Sequence, residues 1–419
     1  MKATLTLLAF LFAVCAAANA QVVPEATGPG LPVSGSLHYD LRYSETAAFG
    51  GYQDGQQRIY ASGDAGYAND SERLPFSMQY GGGYSWTFAG PAAEGGVFQH
   101  LSLTQGIVGR SWNLTASDNV SYTFETPTTG FSGVPGSGEP IGGSGSTIPP
   151  DQTVLTLNTR ILDNFTTLAA GHRLDFATSL NVGGSAGQLY YLDNNGLNTD
   201  MLMADAGITR RLNARNSLAG QYSFSRYSYG SASSTSSANT AQLSSLQVNT
   251  AQLSFIRQWS RRLHTSASGG PQWISGSNSA LVPSSTNVAA NASVSDTFRV
   301  GTASLSYSHG VQGGSGYLFG AENDTASADF TRKLGRNATV GVTGSYRRTA
   351  ELNHNGVTNG KYAGAQASRR LGRDFNIFAD YTALAQSSSS TLSTNALSGL
   401  TQIIGFGIGY SPRGIHLRR

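Results

Sequence analysis

Hydrophobic and polar residues alternate along most of this chain. Leu37, Tyr39, Leu41 and Tyr43 fall on one face of an extended segment, with His38, Asp40 and Arg42 on the other. Farther on, Phe76, Met78, Tyr80, Tyr84, Trp86 and Phe88 share one face, and Ser77, Gln79, Gly81, Gly83, Ser85 and Thr87 share the opposite one. A period of two marks a strand with one apolar and one polar environment. The pattern predicts further strands near 57–67, 96–108, 111–124, 153–163, 172–182, 199–210, 216–229, 247–258, 262–275, 286–297, 300–312, 322–332, 336–349, 359–369, 374–386 and 400–411. That makes about 18 strands (16–18), each long enough to cross a bilayer at a tilt, for which about 9–11 residues suffice.

Between the strands a basic turn recurs. It reads Thr209-Arg210-Arg211-Leu212-Asn213, Ser260-Arg261-Arg262-Leu263, Thr331-Arg332-Lys333-Leu334-Gly335 and Ser368-Arg369-Arg370-Leu371-Gly372. Successive copies start 51, 71 and 37 residues apart. A spacing of 37 fits one up-and-down strand pair, and 71 fits two. These turns are tight, whereas the connections at 125–152, 183–198, 230–246 and 387–399 are rich in Gly, Ser, Thr and Asn. Short periplasmic turns and long outer loops are the signature of an antiparallel up-and-down transmembrane β-barrel. On this assignment the basic turns face the periplasm, either meeting lipid phosphates or serving as plain soluble turns.

Composition narrows the class. Charged residues are 12% of the chain, about half the ~25% of ordinary soluble domains. With 27 Lys+Arg against 24 Asp+Glu, there is no concentrated basic face for nucleic acid. After the N-terminus no apolar run approaches the length of a membrane helix. At the start, Met1-Lys2, the apolar run Leu5 to Ala17 and Ala18-Asn19-Ala20 read as a signal peptide, 1–20. Cys15, the only cysteine, follows Val14 rather than the small residue of a lipoprotein signal, and leaves with that peptide. Disulfides and cysteine metal sites are thereby excluded. Residues 21–34 form a Pro/Gly-rich periplasmic lead-in, 35–412 the barrel, and 413–419 a basic tail.

Trp112, Phe124, Tyr229, Trp259, Trp273, Tyr346, Phe375 and Tyr410 cluster toward strand ends, as aromatic girdles do. One residue breaks the pattern. Asp118 shares the lipid-facing phase of Trp112, Leu114, Val120 and Tyr122, so either a bulge shifts the phase there or the strand is misplaced.

If apolar faces meet lipid, the lumen candidates are His38, Asp40, Arg42, Arg58, Asp64, Arg173, Asp175, Asp205, Asp329, Arg347 and Asp380. Their signs are mixed, so no strong ion selectivity follows. The Gly/Pro/Ser-rich loop 125–152, with Phe131 and Glu139 as constriction candidates, either folds into the lumen or lies on the surface. Catalysis finds little support. His100, His172, His264, His309 and His354 are scattered, no His or Glu spacing suggests a metal, and no motif implies a cofactor.

In this architecture the chain resembles the porin-like outer-membrane β-barrel proteins of Gram-negative bacteria, over about residues 35–412. Ile404-Gly405-Phe406-Gly407-Ile408-Gly409-Tyr410 is similar to the closing strand read by the barrel-assembly machinery, although Ser411 to Arg419 follow where family members often end on an aromatic. A weaker likeness is to polysaccharide-export barrels. The resemblance implies an outer-membrane location, contact with outer-membrane lipid, and passive diffusion of small hydrophilic solutes. The alternatives are a conduit for exopolysaccharide, or a surface scaffold or adhesin with a plugged lumen and working loops at 230–246 and 387–399.

Overall fold

The computed structural model describes residues 35–51, 55–69, 71–90, 95–125, 159–192, 197–230, 245–279, 282–313, 318–352, 356–389 and 399–416. Within them the chain forms one sheet of antiparallel neighbours. Its first half comprises β1 (Ser36–Phe49), β2 (Gln57–Asn69), β3 (Phe76–Ala89), β4 (Gly96–Val108), β5 (Trp112–Glu125), β6 (Thr159–Arg173), β7 (Thr178–Tyr191), β8 (Thr199–Arg211) and β9 (Asn216–Tyr229). The second half comprises β10 (Ser245–Gln258), β11 (Leu263–Gly276), β12 (Ser285–Phe298), β13 (Gly301–Gln312), β14 (Ala321–Leu334), β15 (Ala338–Glu351), β16 (Val357–Leu371), β17 (Phe375–Ser388) and β18 (Gly399–Tyr410). β18 pairs back onto β1 from Leu41↔Tyr410 to Phe49↔Gln402, which closes the barrel. A two-residue strand, β19 (Ile415–His416), then continues along β1 at Ser36 and Leu37. Closure gives each long strand a partner on both sides, as a bilayer requires.

Alternation sorts the side chains. On β1, Asp40, Arg42, Ser44, Thr46 and Ala48 are buried inside, while Leu41, Tyr43 and Phe49 are exposed outside. Residues directly opposite on neighbouring strands share a face, so this phase carries around the wall. The outside bears exposed Leu202, Leu253, Val288, Leu305, Val342 and Phe406. So wide an apolar band is unstable in water and suits lipid. Exposed Trp86, Trp273, Tyr307 and Tyr346 border it toward the long-loop rim, and Trp112, Trp259, Phe330 and Phe375 toward the short-turn rim. Tyr229, expected in a girdle, points inward instead and is 7% exposed.

The turns after β8, β10, β14 and β16 share one device. A residue just past the strand end either bends the backbone with its own side chain or is a left-handed glycine. Asn213 Oδ1 accepts the backbone N–H groups of Arg215 (2.9 Å) and Asn216 (3.0 Å), and Ser260 Oγ those of Arg262 (3.1 Å) and Leu263 (3.0 Å). Gly335 and Gly372 stand at the same place with φ of 72° and 74°, which only glycine adopts without strain.

Asp175 Oδ1 makes the same turn, accepting from Ala177 (2.6 Å) and Thr178 (2.7 Å). This corrects the expected strands at 153–163 and 172–182. The real turn is 174–177, and the strands it joins are β6 and β7. Arg173-Leu174-Asp175 is a further copy of the Arg-Leu-Asn motif, 38 residues before Arg211-Leu212-Asn213. The connection after β7 is correspondingly shorter than the expected 183–198. The long loop 125–152, the lead-in and the signal segment lie outside the described residues, apart from Glu125 at the end of β5.

Candidate functional site

The inner wall is polar on most strands, and its charges concentrate on β1 and β2. His38, Asp40 and Arg42 lie at alternate positions of β1, facing Arg58 and Asp64 of β2 through the Thr46↔Arg58 and Asp40↔Asp64 pairs. Arg42 bridges the strands, with Nη1 at 3.2 Å from Asp64 Oδ2 and Nη2 at 3.5 Å from Asp40 Oδ2. His38 Nε2 lies 3.0 Å from Asp40 Oδ1 and 3.2 Å from Ser411 Oγ. On β3 the opposing inward residue is Gly81, where any side chain would collide with Asp64 and His100. The glycine is what lets these groups lie side by side. Arg58 is 1% exposed, and its guanidinium makes no hydrogen bond among the described residues.

The remaining sequence candidates do not join this group. Asp205 accepts a hydrogen bond from Gln221 Nε2 at 3.4 Å on β8–β9. Asp329 accepts one from Thr343 Oγ1 at 2.7 Å, and Arg347 Nε donates to Thr325 Oγ1 at 3.3 Å. Asp380 lies over the inward Gly405 of β18. Arg173 is exposed at the short-turn rim. Asp175 is in the turn, not on the wall. The amide of Ala177, then Thr178, donates to its carboxylate and holds it below the usual carboxylate range. Phe131 and Glu139 lie outside the described residues.

What sequence reasoning missed is a segment folded into the barrel mouth. The β12–β13 ladder ends at Ala290↔His309, while β13–β14 pairing runs on to Gln312↔Ala321. Beyond His309 the top of β13 leaves β12 and crosses onto the inner face of β11. There the Gln272 side chain grips the Val311 peptide. Val311 N–H donates to Oε1 at 2.8 Å, and Nε2 donates to the Val311 carbonyl at 3.3 Å. Nε2 also donates to Thr250 Oγ1 at 3.2 Å. Tyr229 O–H donates to the Gly313 carbonyl at 2.9 Å, and its ring meets Phe319 edge-on at 5.4 Å.

Around this latch Met201, Tyr227, Leu246, Val248, Ile274, Val282 and Val311 form a buried apolar cluster inside the long-loop end. Beneath it is a cleft lined by Met203, Gln252, Asn291, Ser308 and Asn323 among others. The sequence signal was Leu318-Phe319, an apolar pair ending a glycine-rich loop.

At the long-loop ends of β13 and β14, His309, Glu322 and Asp324 offer ligand atoms within 4.8 Å of one another. These groups are already engaged. Asp324 is held by His309 (2.8 Å), Arg348 (3.3 Å) and Tyr307 (2.9 Å), and Glu322 accepts from Asn287 (3.0 Å). The cluster is a hydrogen-bonded network around the Arg348–Asp324 ion pair that ties β13, β14 and β15 together.

The fold thus defines a closed barrel with a lipid-type exterior and a polar, partly obstructed interior. No family model matches the chain, and no characterised protein sequence does. Among solved structures it is similar to Pseudomonas aeruginosa OccK2 (OpdF), at 11% identity and a TM-score of 0.45 over 92% of this chain and 100% of that one. It is similar to P. aeruginosa OpdK, solved with vanillate, at 9% identity and a TM-score of 0.44 over 90% and 98%. Acinetobacter baumannii OccAB4 matches at 8% identity and 0.43 over 92% and 99%.

Proposed function

We propose that this protein is an outer-membrane channel for passive diffusion of small hydrophilic solutes, with its short turns in the periplasm. The observation that carries the reading is the inward face of a closed barrel with 18 long strands. Barrels of about 16–18 strands leave an aqueous passage, and here that face carries Ser, Thr, Asn, Gln and charged groups along most strands. The latched segment at Val311 narrows the outer mouth and sets a size limit. The carboxylates of Asp40 and Asp64 and the guanidinium groups of Arg42 and Arg58 line one wall and steer ions weakly, because they balance in number. The test is single-channel conductance of the refolded protein in a planar bilayer. Steady, salt-proportional conductance is expected. Silence across a range of voltages refutes the proposal.

A further inference from the structure

Among the described residues the lipid-facing surface carries one carboxyl group at mid-height. Asp118 of β5 is directly opposite Leu103 on β4 and Thr166 on β6. Both ladders keep an unbroken register through it, so no bulge turns it inward. It stands six residues from Trp112 and seven from Glu125, and therefore about 20 Å along the strand from either end. Thr166 Oγ1 donates to Asp118 Oδ1 at 2.5 Å and lies 3.4 Å from Asn164 Oδ1.

Elsewhere the outward charges keep to the rims. Glu45, Asp200, Arg226, Asp324, Arg348 and Lys361 all lie within four residues of a strand end. Apart from Asp118 and its neighbours Asn164 and Thr166, no outward charged, amide or Ser/Thr hydroxyl side chain among the described residues lies deeper than that. A carboxyl group at this depth loses water and gains nothing from lipid chains. Thr166 satisfies one of its oxygens. Asp118 Oδ2 and the Asn164 amide hydrogens have no partner within the chain's described residues.

We infer that β5 and β6 form a dimer interface with a second copy of this chain, related by a two-fold axis along the membrane normal. The argument is complementarity. Such an axis preserves height and sets β5 of one copy against β6 of the other. Asp118 of each copy then meets the Thr166 and Asn164 level of its partner, so the spare amide donors reach the spare carboxylate oxygen twice over. A ring of three or more copies would press this face against a different face, and among the described residues no other outward face offers a charged or amide side chain at this depth. Ala116, Ala170, Gly184 and Ala186 flank the site on the same outward surface, and small residues let backbones approach closely.

The test uses cross-linking in bilayer vesicles. In a chain carrying Cys15→Ser, Leu168→Cys places a thiol beside the proposed axis, and Val342→Cys places one on the far wall. Mild oxidation should yield a covalent dimer from Leu168→Cys and at least tenfold less from Val342→Cys. Adding Asp118→Leu, or Asn164→Leu should the first fail to fold by heat-modified gel migration, should reduce the Leu168→Cys dimer at least tenfold. Asp118→Asn, which keeps hydrogen-bonding atoms, should retain it. No dimer at position 168, equal dimer at 342, or dimer undiminished by the leucine substitutions would overturn the inference.

Discussion

Replacing Gln272 with leucine tests whether the inward segment is a latch or only a loop at rest. The substitution keeps the side chain's approximate size and removes its amide. Gln272 is 5% exposed and Val311 is 4% exposed, so water cannot take over the lost bonds while the segment stays closed. Two hydrogen bonds to the backbone of one residue, 2.8 and 3.3 Å long, contribute about 1 kcal/mol each net, and more if both backbone groups are left buried and unpaired. The closed arrangement should weaken by about 2 kcal/mol at the low end, a roughly 30-fold shift toward open. Tyr229→Phe removes one bond, to Gly313, and should shift it only several-fold. Single-channel recording reads this directly. Gln272→Leu should raise mean conductance or add brief open-state excursions, with Tyr229→Phe in between. A conducting wild type beside a Gln272→Leu channel of identical conductance and noise would show that the Gln272–Val311 contact does not set the constriction.

Three further outcomes follow from particular contacts. Gly407→Ala puts a methyl group into the ring of Phe378 and the carbonyl of Tyr43; it should cost about 1–3 kcal/mol in urea unfolding from vesicles and be partly restored by Phe378→Leu, whereas an unchanged midpoint would contradict the packing. Arg42→Ala leaves Asp40 and Asp64 facing the lumen without their shared cation; the reversal potential in a salt gradient should move toward cation preference, and an unchanged or anion-directed shift would contradict the assignment. The Asp175 carboxylate is held below its ordinary range by the amides it accepts, so its contribution to the turn is complete above the unfolded value near 3.9 and is lost as pH falls through the lower folded value. The amide resonances of Ala177 and Thr178 should therefore titrate with a midpoint below about 3.9; a midpoint at or above that contradicts the turn geometry.

How far the sequence carries depends on what each side chain has to satisfy. The strands were readable because lipid and lumen impose opposite polarity at every second residue, and a one-residue slip would reverse every face. The closing strand shows the principle and its limit. Ile404, Phe406, Ile408 and Tyr410 announce the outward face, but Gly405, Gly407 and Gly409 say nothing alone about what occupies the inner one. Their meaning lies on β17, whose Asp380, Phe378 and Asn376 lie flat over those three glycines. The wall is therefore thin at β18 and thick at β17. The same division of space recurs at Gly81 between Asp64 and His100, and at Gly83 under Phe98.

Alternation is a local signal, whereas these fits join residues of different strands. The Gln272–Val311 latch is 39 residues long-range and has no period to betray it. Asp118 is the opposite case. It violated the local pattern, and the sequence offered a bulge as the natural escape. The unbroken ladders on both sides close that escape and leave a carboxyl group in the apolar band with one partner among the described residues. A local rule broken without local compensation points to a compensation outside the chain, and Asn164 and Thr166 on the neighbouring strand show what chemistry it would have.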